Sequence, residues 1–331
     1  MRIVLCYPVE PRHIDKIQAA APDAEIDNAG QEHVAERLLE ADIYCGHAKV
    51  PVPWDEVINA GRLKWIQSSA AGMDHCLVEP VVRSPVIVSS ASGVLAEQVV
   101  DHTLALLLGS LRDLPTFFRA QQRREFVRRP TRDLCGTTVG LVGFGGNGRR
   151  LAECLRGFRV RMLATDYFPE ARPDYVEWLG GPGQLDDMLS EVDSLILAAP
   201  LVAQTRGLID ARRLALMRPG SILVNVARGP LVVEDALADA LEAGHLAGAA
   251  LDVTEVEPLP ADSRLWGQPR AMVTPHVGGQ RSTRVDDMTD LFCENLRRFQ
   301  AGKRLVNIVD KSLGFPKPAD SLWRLLPGTP A

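Results

Sequence analysis

Short apolar runs alternate with amphipathic stretches along the first part of the chain. The apolar runs predict strands, and the stretches with apolar residues every three or four positions predict helices. Strands that alternate with helices are typical of a parallel sheet covered by helices on both faces. The predicted elements are strands Arg2–Tyr7, Glu25–Asp27, Asp42–Gly46, Leu63–Ser68 and Val86–Ser90 and helices Pro11–Ala21 and Glu32–Glu40.

The pattern becomes continuously helical from Val94 to about Phe126, and Pro115 is the one proline in that stretch. Proline removes a backbone donor and clashes with the preceding turn, so we expect the helix to be kinked or split there. The stretch Arg129–Asp133 that follows has the composition of a linker.

A second run of alternating elements begins after this linker. Two separate runs predict the α/β class, with two doubly wound parallel-sheet domains of which the second is a Rossmann domain that binds the nucleotide. Its predicted elements are strands Thr138–Gly143, Arg161–Thr165, Ser194–Ala198, Ser221–Val226, Ala249–Val253 and Ala271–Thr274 and helices Asn147–Arg156, Gln184–Ser190, Asp210–Leu216 and Val233–Ala243.

The end of the chain is predicted to return to the first domain through a helix over Ser282–Ala301 and a strand-like segment, Val306–Val309. The first domain is therefore expected to be discontinuous, 1–100 plus 291–331, and the dinucleotide-binding domain to span 101–290. Four late prolines predict a final segment without a fold of its own: Pro316, Pro318, Pro327 and Pro330.

Composition restricts the class of partner. The 331 residues are 46% apolar and 24% charged with a net charge of −5, which is typical of a globular protein and gives no reason to expect a nucleic-acid partner. One basic cluster is interpreted as a solvated or interface helix face, with a polyanion site as the alternative. It consists of Arg119, Arg123, Arg124, Arg128, Arg129 and Arg132.

The cysteines and the absence of long apolar stretches predict a location. The six cysteines show neither a CxxC pair nor a disulfide framework spacing, which favours reduced thiols. No apolar stretch approaches the roughly 18–20 residues of a membrane span, and the start Met1–Leu5 is too short for a signal sequence. We therefore expect a cytoplasmic protein without a membrane partner.

A glycine-rich turn joins the first strand and helix of the second run. Gly143, Gly145 and Gly148 form GxGxxG directly after Thr138–Val142. In this context the first glycine permits the tight turn, the second lets the backbone approach a pyrophosphate, and the third allows close helix–strand packing. The helix N-terminus then supplies N–H donors to the anion, so the turn predicts a dinucleotide site.

Asp166 ends the next predicted strand, where the fingerprint expects an acidic residue about 20 residues further on. A carboxylate there binds the adenosine ribose hydroxyls and repels a 2′-phosphate, so we expect NAD rather than NADP. The alternative for Asp166 is a turn or cap residue before Pro169.

Two functional side chains follow later strands of the same run. Arg228 comes after Ser221–Val226, and ligands collect at the carboxyl ends of such strands. Its guanidinium can bind a carboxylate with two bonds and polarise an adjacent carbonyl. His276 follows Ala271–Thr274, and an imidazole suits a general acid for carbonyl reduction and a base for the reverse reaction.

A carboxylate beside His276 would orient its ring and favour the imidazolium. Glu257, which precedes Pro258, and Glu255 are equal candidates from the residues alone. Asp252 ends its strand and is a candidate contact to the nicotinamide carboxamide. No His, Cys and carboxylate cluster has metal-ligand spacing, so no metal is expected. The other histidines are expected to be surface or core residues: His13, His33, His47, His75, His102 and His245.

A dinucleotide site followed by Arg, Glu and His predicts hydride transfer to a carbonyl that lies beside a carboxylate. The ordered motifs also carry a family likeness: the chain resembles the D-isomer-specific 2-hydroxyacid dehydrogenases over almost its whole length. The matching segments are Gly140–Gly148, Asn225–Gly229, Leu251–Val253, Glu257–Pro260 and Pro275–Gly278.

The resemblance implies roles for individual residues. The family's catalytic carboxylate stands immediately before the proline, which selects Glu257 over Glu255. Arg228 would bind the 2-oxo acid, His276 would pass the proton, and Glu257 would hold His276. Backbone amides of Ala70, Ala71 and Gly72 would hold the substrate carboxylate. The family's cofactor contacts correspond to Gly146, Asn147, Asp166, Ala199, Pro200, Val226, Ala227, Asp252 and Gly278, which join the motif glycines Gly143, Gly145 and Gly148 as candidate cofactor-binding residues.

The resemblance further implies NAD as cofactor, a homodimer joined through the nucleotide domains, and a small 2-oxo or 2-hydroxy acid as substrate. No lysine lies in Ser68–Asp74, which disfavours a phosphite-oxidising member, and Glu rather than Gln at position 257 disfavours a formate-oxidising one. Without an added regulatory domain, a glyoxylate or hydroxypyruvate-type reductase is favoured over a regulated phosphoglycerate dehydrogenase. A dinucleotide-sensing binding protein on the same fold is the alternative.

Overall fold

A computed structural model describes residues 1–325 and divides into two compact units. Unit 1 combines Met1–Leu95 with the segment that begins at Arg281, and unit 2 is Ala96–Gln280. The expected α/β fold with two parallel sheets is confirmed. The first part of unit 1 contains β1 (Arg2–Cys6), α1 (Pro11–Ala20), β2 (Glu25–Asn28), α2 (Gly30–Arg37), β3 (Ile43–Gly46), α3 (Trp54–Asn59), β4 (Trp65–Ser68), α4 (Glu79–Arg83) and β5 (Ile87–Ser89).

The five strands of unit 1 form a parallel sheet in the order β2-β1-β3-β4-β5. Successive side chains of a strand point to opposite faces. On β1, Ile3 and Leu5 join one apolar cluster while Val4 and Cys6 join another. Both faces of this sheet are therefore buried under helices, which explains why its strands are continuous apolar runs rather than alternating ones.

Unit 2 contains a seven-stranded parallel sheet in the order β12-β11-β10-β9-β6-β7-β8. Counted from its own first strand, this is the doubly wound dinucleotide-binding order with one strand added at the edge. Its elements are α5 (Ala96–Leu111), α6 (Leu114–Gln122), β6 (Thr138–Val142), α7 (Gly146–Leu155), β7 (Arg161–Thr165), β8 (Trp178–Gly180), α8 (Leu185–Leu189), β9 (Ser194–Leu197), α9 (Ala211–Leu216), β10 (Ile222–Asn225), α10 (Glu234–Glu242), β11 (Gly248–Leu251) and β12 (Ala271–Val273).

This second sheet is also buried on both faces. On β9, Leu195 and Leu197 belong to one cluster and Ile196 to the other. The chain reverses its winding direction between β6 and β9, because β7 and β8 lie on one side of β6 and the later strands on the other. Such a switch point leaves a crevice at the carboxyl ends of the strands, where doubly wound folds bind ligands.

The long helical stretch is split as expected, and it ends earlier than expected. Asp113 lies between α5 and α6 with a left-handed φ of 54°, and Pro115 stands in the first turn of α6, where its missing N–H costs nothing. The second helix ends at Gln122 rather than at Phe126. The interpretation of the whole arginine cluster as one helix face is therefore wrong, because Arg123 and the arginines after it follow the helix.

The end of the chain adds α11 (Arg284–Gln300), β13 (Val309–Asp310) and β14 (Phe315–Pro316) to unit 1. The last two form an antiparallel pair followed by short 3₁₀ turns up to Leu325. The expectation that this proline-bearing segment has no fold is therefore wrong as far as residue 325, while Pro327 and Pro330 lie outside the described residues. Within residues 1–325, no helix combines the length and apolar composition needed to cross a membrane.

Candidate active site

One edge of the sheet in unit 2 carries every candidate residue of that unit. Neighbouring strand ends along this edge bear His276 after β12, Asp252 after β11, Arg228 after β10 and Ala199 after β9. The glycine turn follows β6, and Asp166 follows β7. Parallel strands bring their carboxyl ends to the same edge, so residues far apart in sequence form one continuous row.

The glycine turn has the shape that the dinucleotide fingerprint requires. A Cβ on Gly143, whose φ is +96°, would lie 2.6 Å from the Ala199 nitrogen. A Cβ on Gly148 would lie 2.2 Å from the Gly143 carbonyl oxygen, so helix α7 packs directly onto the turn. A Cβ on Gly145, in contrast, would meet nothing within 4 Å. Open space beside the N-terminus of α7 fits a pyrophosphate, which the helix N–H groups and dipole would stabilise.

Asp166 is tied to this turn by its carboxylate. Its Oδ2 accepts a hydrogen bond from the Phe144 N–H at 2.6 Å and its Oδ1 accepts one from the Phe168 N–H at 2.8 Å. Burial raises the pKa of Asp166, and these two N–H groups and Arg149 oppose that shift. An ionised carboxylate accepts about four hydrogen bonds, so the group keeps capacity for the two hydroxyls of a ribose.

The turn that carries Arg228 is held by Asn225, the last residue of β10. The buried amide of Asn225 donates from Nδ2 to the Arg228 carbonyl at 3.0 Å and accepts at Oδ1 from the Ala227 N–H at 3.0 Å. The Arg228 side chain is partly exposed and donates from Nη1 to the Ala227 carbonyl at 2.8 Å. Sequence reasoning assigned no role to Asn225, although it begins the segment that carried the family resemblance.

His276 and Glu257 form a direct pair. His276 Nδ1 lies 2.8 Å from Glu257 Oε2, and Glu257 Oε1 accepts a hydrogen bond from the Thr254 N–H at 3.3 Å. The structure therefore brings Glu257, rather than Glu255, to the imidazole. A carboxylate that accepts from Nδ1–H leaves Nε2 as the ring nitrogen that can exchange a proton with a ligand. Both side chains are 40–45% exposed, so the pair is accessible.

The backbone of His276 is strained. Its φ of +54° places a non-glycine residue in the left-handed region, which costs about 1–3 kcal/mol and persists where the surroundings impose it. The surroundings include the backbone carbonyl of Asp252, which accepts the His276 N–H at 2.8 Å. Strain of this kind clusters at functional sites, in agreement with the role predicted for His276.

Asp252 is buried beneath the segment around His276 and does not line an open pocket. Its side chain is 3% exposed, and its carboxylate accepts the N–H groups of Val277 and Gly278 at 2.9 and 2.8 Å. It also accepts the Thr274 hydroxyl at 2.7 Å. A direct contact from Asp252 to a nicotinamide carboxamide stays a prediction, whereas its hold on the segment around His276 is a feature of the fold.

The remaining candidates, Ala70, Ala71 and Gly72, follow β4 in unit 1. The Ala70 N–H donates to Ser68 Oγ at 3.0 Å, and the Ala70 carbonyl accepts from the Ala91 N–H at 3.0 Å. The Ala70 amide is thus occupied within its own loop. Ala71 is exposed and Gly72 partly exposed, so these two amides are the better candidates to bind a carboxylate.

Comparison with known proteins identifies the nucleotide-binding region. Residues 104–278, more than half of the chain, match the family model described as "D-isomer specific 2-hydroxyacid dehydrogenase, NAD binding domain". This range includes the glycine turn, Asp166, Arg228, Glu257 and His276. Unit 2 is accordingly an NAD-binding domain, and its open glycine turn fits that cofactor.

Relatives match over most of the chain. A glyoxylate reductase of Pyrococcus furiosus is 32% identical over 294 residues, which is 86% of each protein. A D-isomer specific 2-hydroxyacid dehydrogenase of Xanthobacter autotrophicus, solved with NADPH and MES, superposes with a TM-score of 0.82 at 30% identity and covers 95% of this chain and 99% of its own.

An NADPH-dependent glyoxylate/hydroxypyruvate reductase of Sinorhizobium meliloti superposes with a TM-score of 0.79 at 25% identity, over 95% of this chain and 99% of its own. These relatives are enzymes, which supports a dehydrogenase over a dinucleotide-sensing protein. The matched NAD-binding domain and the extended similarity to these enzymes establish that the chain belongs to the D-isomer-specific 2-hydroxyacid dehydrogenase family.

Proposed function

We propose that this enzyme reduces a small 2-oxo acid of the glyoxylate or hydroxypyruvate type to the D-2-hydroxy acid, and catalyses the reverse oxidation. The observation that carries the proposal is the His276–Glu257 pair at 2.8 Å, on the sheet edge that also presents Arg228. An acid–base group beside a guanidinium is the combination that a carbonyl next to a carboxylate requires.

Arg228, His276 and Glu257 have different roles in the proposed reaction. Arg228 binds the substrate carboxylate through its planar guanidinium and polarises the neighbouring carbonyl oxygen. His276 donates a proton from Nε2 to that oxygen during reduction and removes it during oxidation. Glu257 accepts the Nδ1–H, which fixes the tautomer and stabilises the imidazolium when the proton is held. NADH, when bound, supplies the hydride that the carbonyl carbon receives.

The cofactor would be held at the carboxyl ends of the strands of unit 2. The N–H groups of Gly146 and Asn147, in the first turn of α7, would bind the pyrophosphate, and Asp166 would bind the adenosine ribose. Because Asp166 carries a negative charge when ionised, we infer that NAD is favoured over NADP. Two of the structural relatives are described with NADPH, so this preference is a property of this chain to be measured.

The Ala71 and Gly72 amides are the candidates of unit 1 to bind a substrate carboxylate, so we infer that unit 1 is the substrate domain and unit 2 the dinucleotide domain. We also infer a homodimer through unit 2. Several apolar side chains of α6 and the segment after it are exposed, which supports such an interface. They are Leu114, Phe118, Phe126 and Val127. Cysteines that are buried and form no disulfide, such as Cys6 and Cys45, support a reducing, cytoplasmic location.

The test is a panel of 2-oxo acids, including glyoxylate, hydroxypyruvate, pyruvate and phosphohydroxypyruvate, followed by NADH absorbance and by the configuration of the product. We expect turnover with the small acids and a D product, and a kcat lower by roughly 10²–10⁴ for the His276→Ala protein on the same acid. NADH binding without turnover of any acid would overturn the proposal and favour a dinucleotide-sensing protein.

A further inference from the structure

A histidine of helix α5 completes a polar cluster beneath the segment that carries His276. His102 Nε2 lies 2.9 Å from Thr274 Oγ1 and 3.2 Å from Asp252 Oδ1. The His102 side chain is 21% exposed and that of Asp252 is 3% exposed. The cluster therefore joins α5 to the ends of β11 and β12, and it gives His102 a set of partners that the sequence alone does not predict.

The direction of the hydrogen bonds follows from the chemistry of the groups. Thr274 Oγ1 carries one proton and lies 2.7 Å from Asp252 Oδ1. A carboxylate oxygen only accepts, so the hydroxyl donates this proton to Asp252. Thr274 Oγ1 must therefore accept from His102, so His102 carries a proton on Nε2. Asp252 Oδ1 lies 3.2 Å from the same nitrogen, but the hydrogen bond of Nε2–H goes to Thr274. His102 thus acts on this cluster as a donor.

The cluster controls the backbone around His276. Asp252 accepts the N–H groups of Val277 and Gly278, which follow His276, and the hydroxyl of Thr274, which precedes it by two residues. A Cβ on Gly278 would lie 2.8 Å from Asp252 Oδ2 and 3.4 Å from the His102 ring. The backbone is thus pressed against the cluster, and the left-handed φ of His276 is imposed from this side.

We propose that His102 is a positioning residue: its Nε2–H orients the Thr274 hydroxyl onto Asp252, and through these two residues it holds the segment 274–278 so that His276 faces Glu257. The inference rests on the proposed function of His276 as proton donor. His102 itself exchanges no proton with substrate. Without the His102 N–H, the Thr274 hydroxyl is free to turn away from Asp252. The buried carboxylate then loses a donor and is poorly satisfied, and the groups free to rearrange in response are those of segment 274–278.

The test compares two substitutions of His102. Gln keeps an N–H donor at a similar reach, and Leu removes the donor while keeping apolar bulk. Amide hydrogen exchange of residues 274–278 is measured without substrate, together with NADH affinity by fluorescence, kcat and KM. For His102→Leu we expect faster exchange in this segment and a kcat lower by ~10- to 100-fold, the range for losing the hydrogen bond from Thr274 to the charged Asp252 carboxylate that His102 maintains. We expect nearly unchanged NADH affinity, and His102→Gln should restore most of kcat.

Two further variants make the result specific. Thr274→Val removes the hydroxyl between His102 and Asp252 and should reproduce the faster exchange of residues 274–278. If His102→Leu does not fold, exchange in the Thr274→Val protein decides the test. His245→Leu is the matched control, because His245 bonds to the Leu214 carbonyl elsewhere in unit 2. It should leave exchange of 274–278 unchanged.

Unchanged exchange of 274–278 in both His102→Leu and Thr274→Val would overturn the inference, whatever the activity. An equal loss of kcat in the Leu and Gln variants would also overturn it, because the donor would then not matter. The exchange measurement needs no turnover. Failure of the proposed function, seen as no turnover by the unsubstituted enzyme, is therefore distinguishable from failure of this inference.

Discussion

Gly229 and Thr254 touch backbone to backbone: a Cβ on Gly229 would lie 1.8 Å from the Thr254 carbonyl oxygen. Gly229 follows Arg228, and Thr254 begins the loop that leads to Glu257 and donates its N–H to the Glu257 carboxylate. The turn that carries Arg228 and the loop that carries Glu257 can therefore pack this closely only because residue 229 has no side chain.

Gly229→Ala is expected to reduce kcat/KM by ~100-fold or more, since a misplacement of about 1 Å can cost that much. The obstruction is backbone, which cannot swing aside as a side chain can. Gly157→Ala is the control, because a Cβ at that position would meet nothing within 4 Å. Steady-state kinetics of both variants provide the measurement, and full activity of the Gly229→Ala enzyme would contradict the importance of this contact.

His276→Ala is expected to lower kcat by roughly 10²–10⁴, the usual contribution of a general acid. Glu257→Gln should lower kcat less, because an amide can still orient the ring but cannot stabilise its charge. Glu255→Gln is the matched control, since its side chain is exposed and the pair at 2.8 Å involves Glu257. If the Glu255 variant lost as much activity as the Glu257 variant, the assignment of the carboxylate would be wrong.

Arg228→Ala is expected to raise KM for the 2-oxo acid and to lower kcat, because both binding and polarisation of the carbonyl are lost. Arg228→Lys keeps the charge but not the planar fork, so it should recover only part of the activity. Free guanidine added to the Ala variant should restore some turnover, and NADH affinity should stay close to that of the unsubstituted enzyme. A normal KM in the Ala variant would exclude Arg228 from substrate binding.

Cofactor preference is expected to depend on pH through Asp166. Burial raises the pKa of this carboxyl, with Arg149 opposing and Glu170 reinforcing the shift. As the pH falls, Asp166 therefore gains its proton earlier than an ordinary aspartate and ceases to repel a 2′-phosphate. The ratio of the NADPH to the NADH dissociation constant should therefore fall as the pH is lowered, and it should begin to fall at a pH above the ordinary titration range of an aspartate, whose pKa is about 3.9.

Asp166→Asn provides the control for that measurement. The 2′-phosphate gains a proton of its own near pH 6, and the Asn variant retains this contribution while losing that of Asp166. We expect the Asn variant to bind NADPH more tightly and to show the weaker pH dependence. Identical pH curves for the two proteins would show that Asp166 does not set the preference.

The proposed dimer predicts that Phe118→Glu with Phe126→Glu yields a monomer. Phe126 is 89% exposed and Phe118 57% exposed, and a charge buried in an apolar interface is strongly unfavourable. Sedimentation equilibrium measures the mass. Leu216→Glu, at another exposed apolar position of unit 2, should leave the mass unchanged, and a dimer in the double Phe variant would place the interface elsewhere.

The fold class and most elements of the sheets were predictable, because strands buried on both faces are continuous apolar runs. Short elements were missed: β8 has three residues, Trp178–Gly180, too few to show a period. The structure of the proline-bearing end was not predictable, since the pairing of β13 with β14 depends on contacts between segments rather than on a local pattern.

The sequence by itself determined the glycine turn, the strand ends that bear Arg228 and His276, and, through the family pattern, Glu257. These follow from local periodicity and from residue chemistry. Only the tertiary structure decided which groups hold them: Asn225 under Arg228, and His102, Thr274 and Asp252 under His276. His102 and Thr274 are 172 residues apart, and no local pattern encodes a hydrogen bond between side chains that meet only when the sheet and helix α5 pack together.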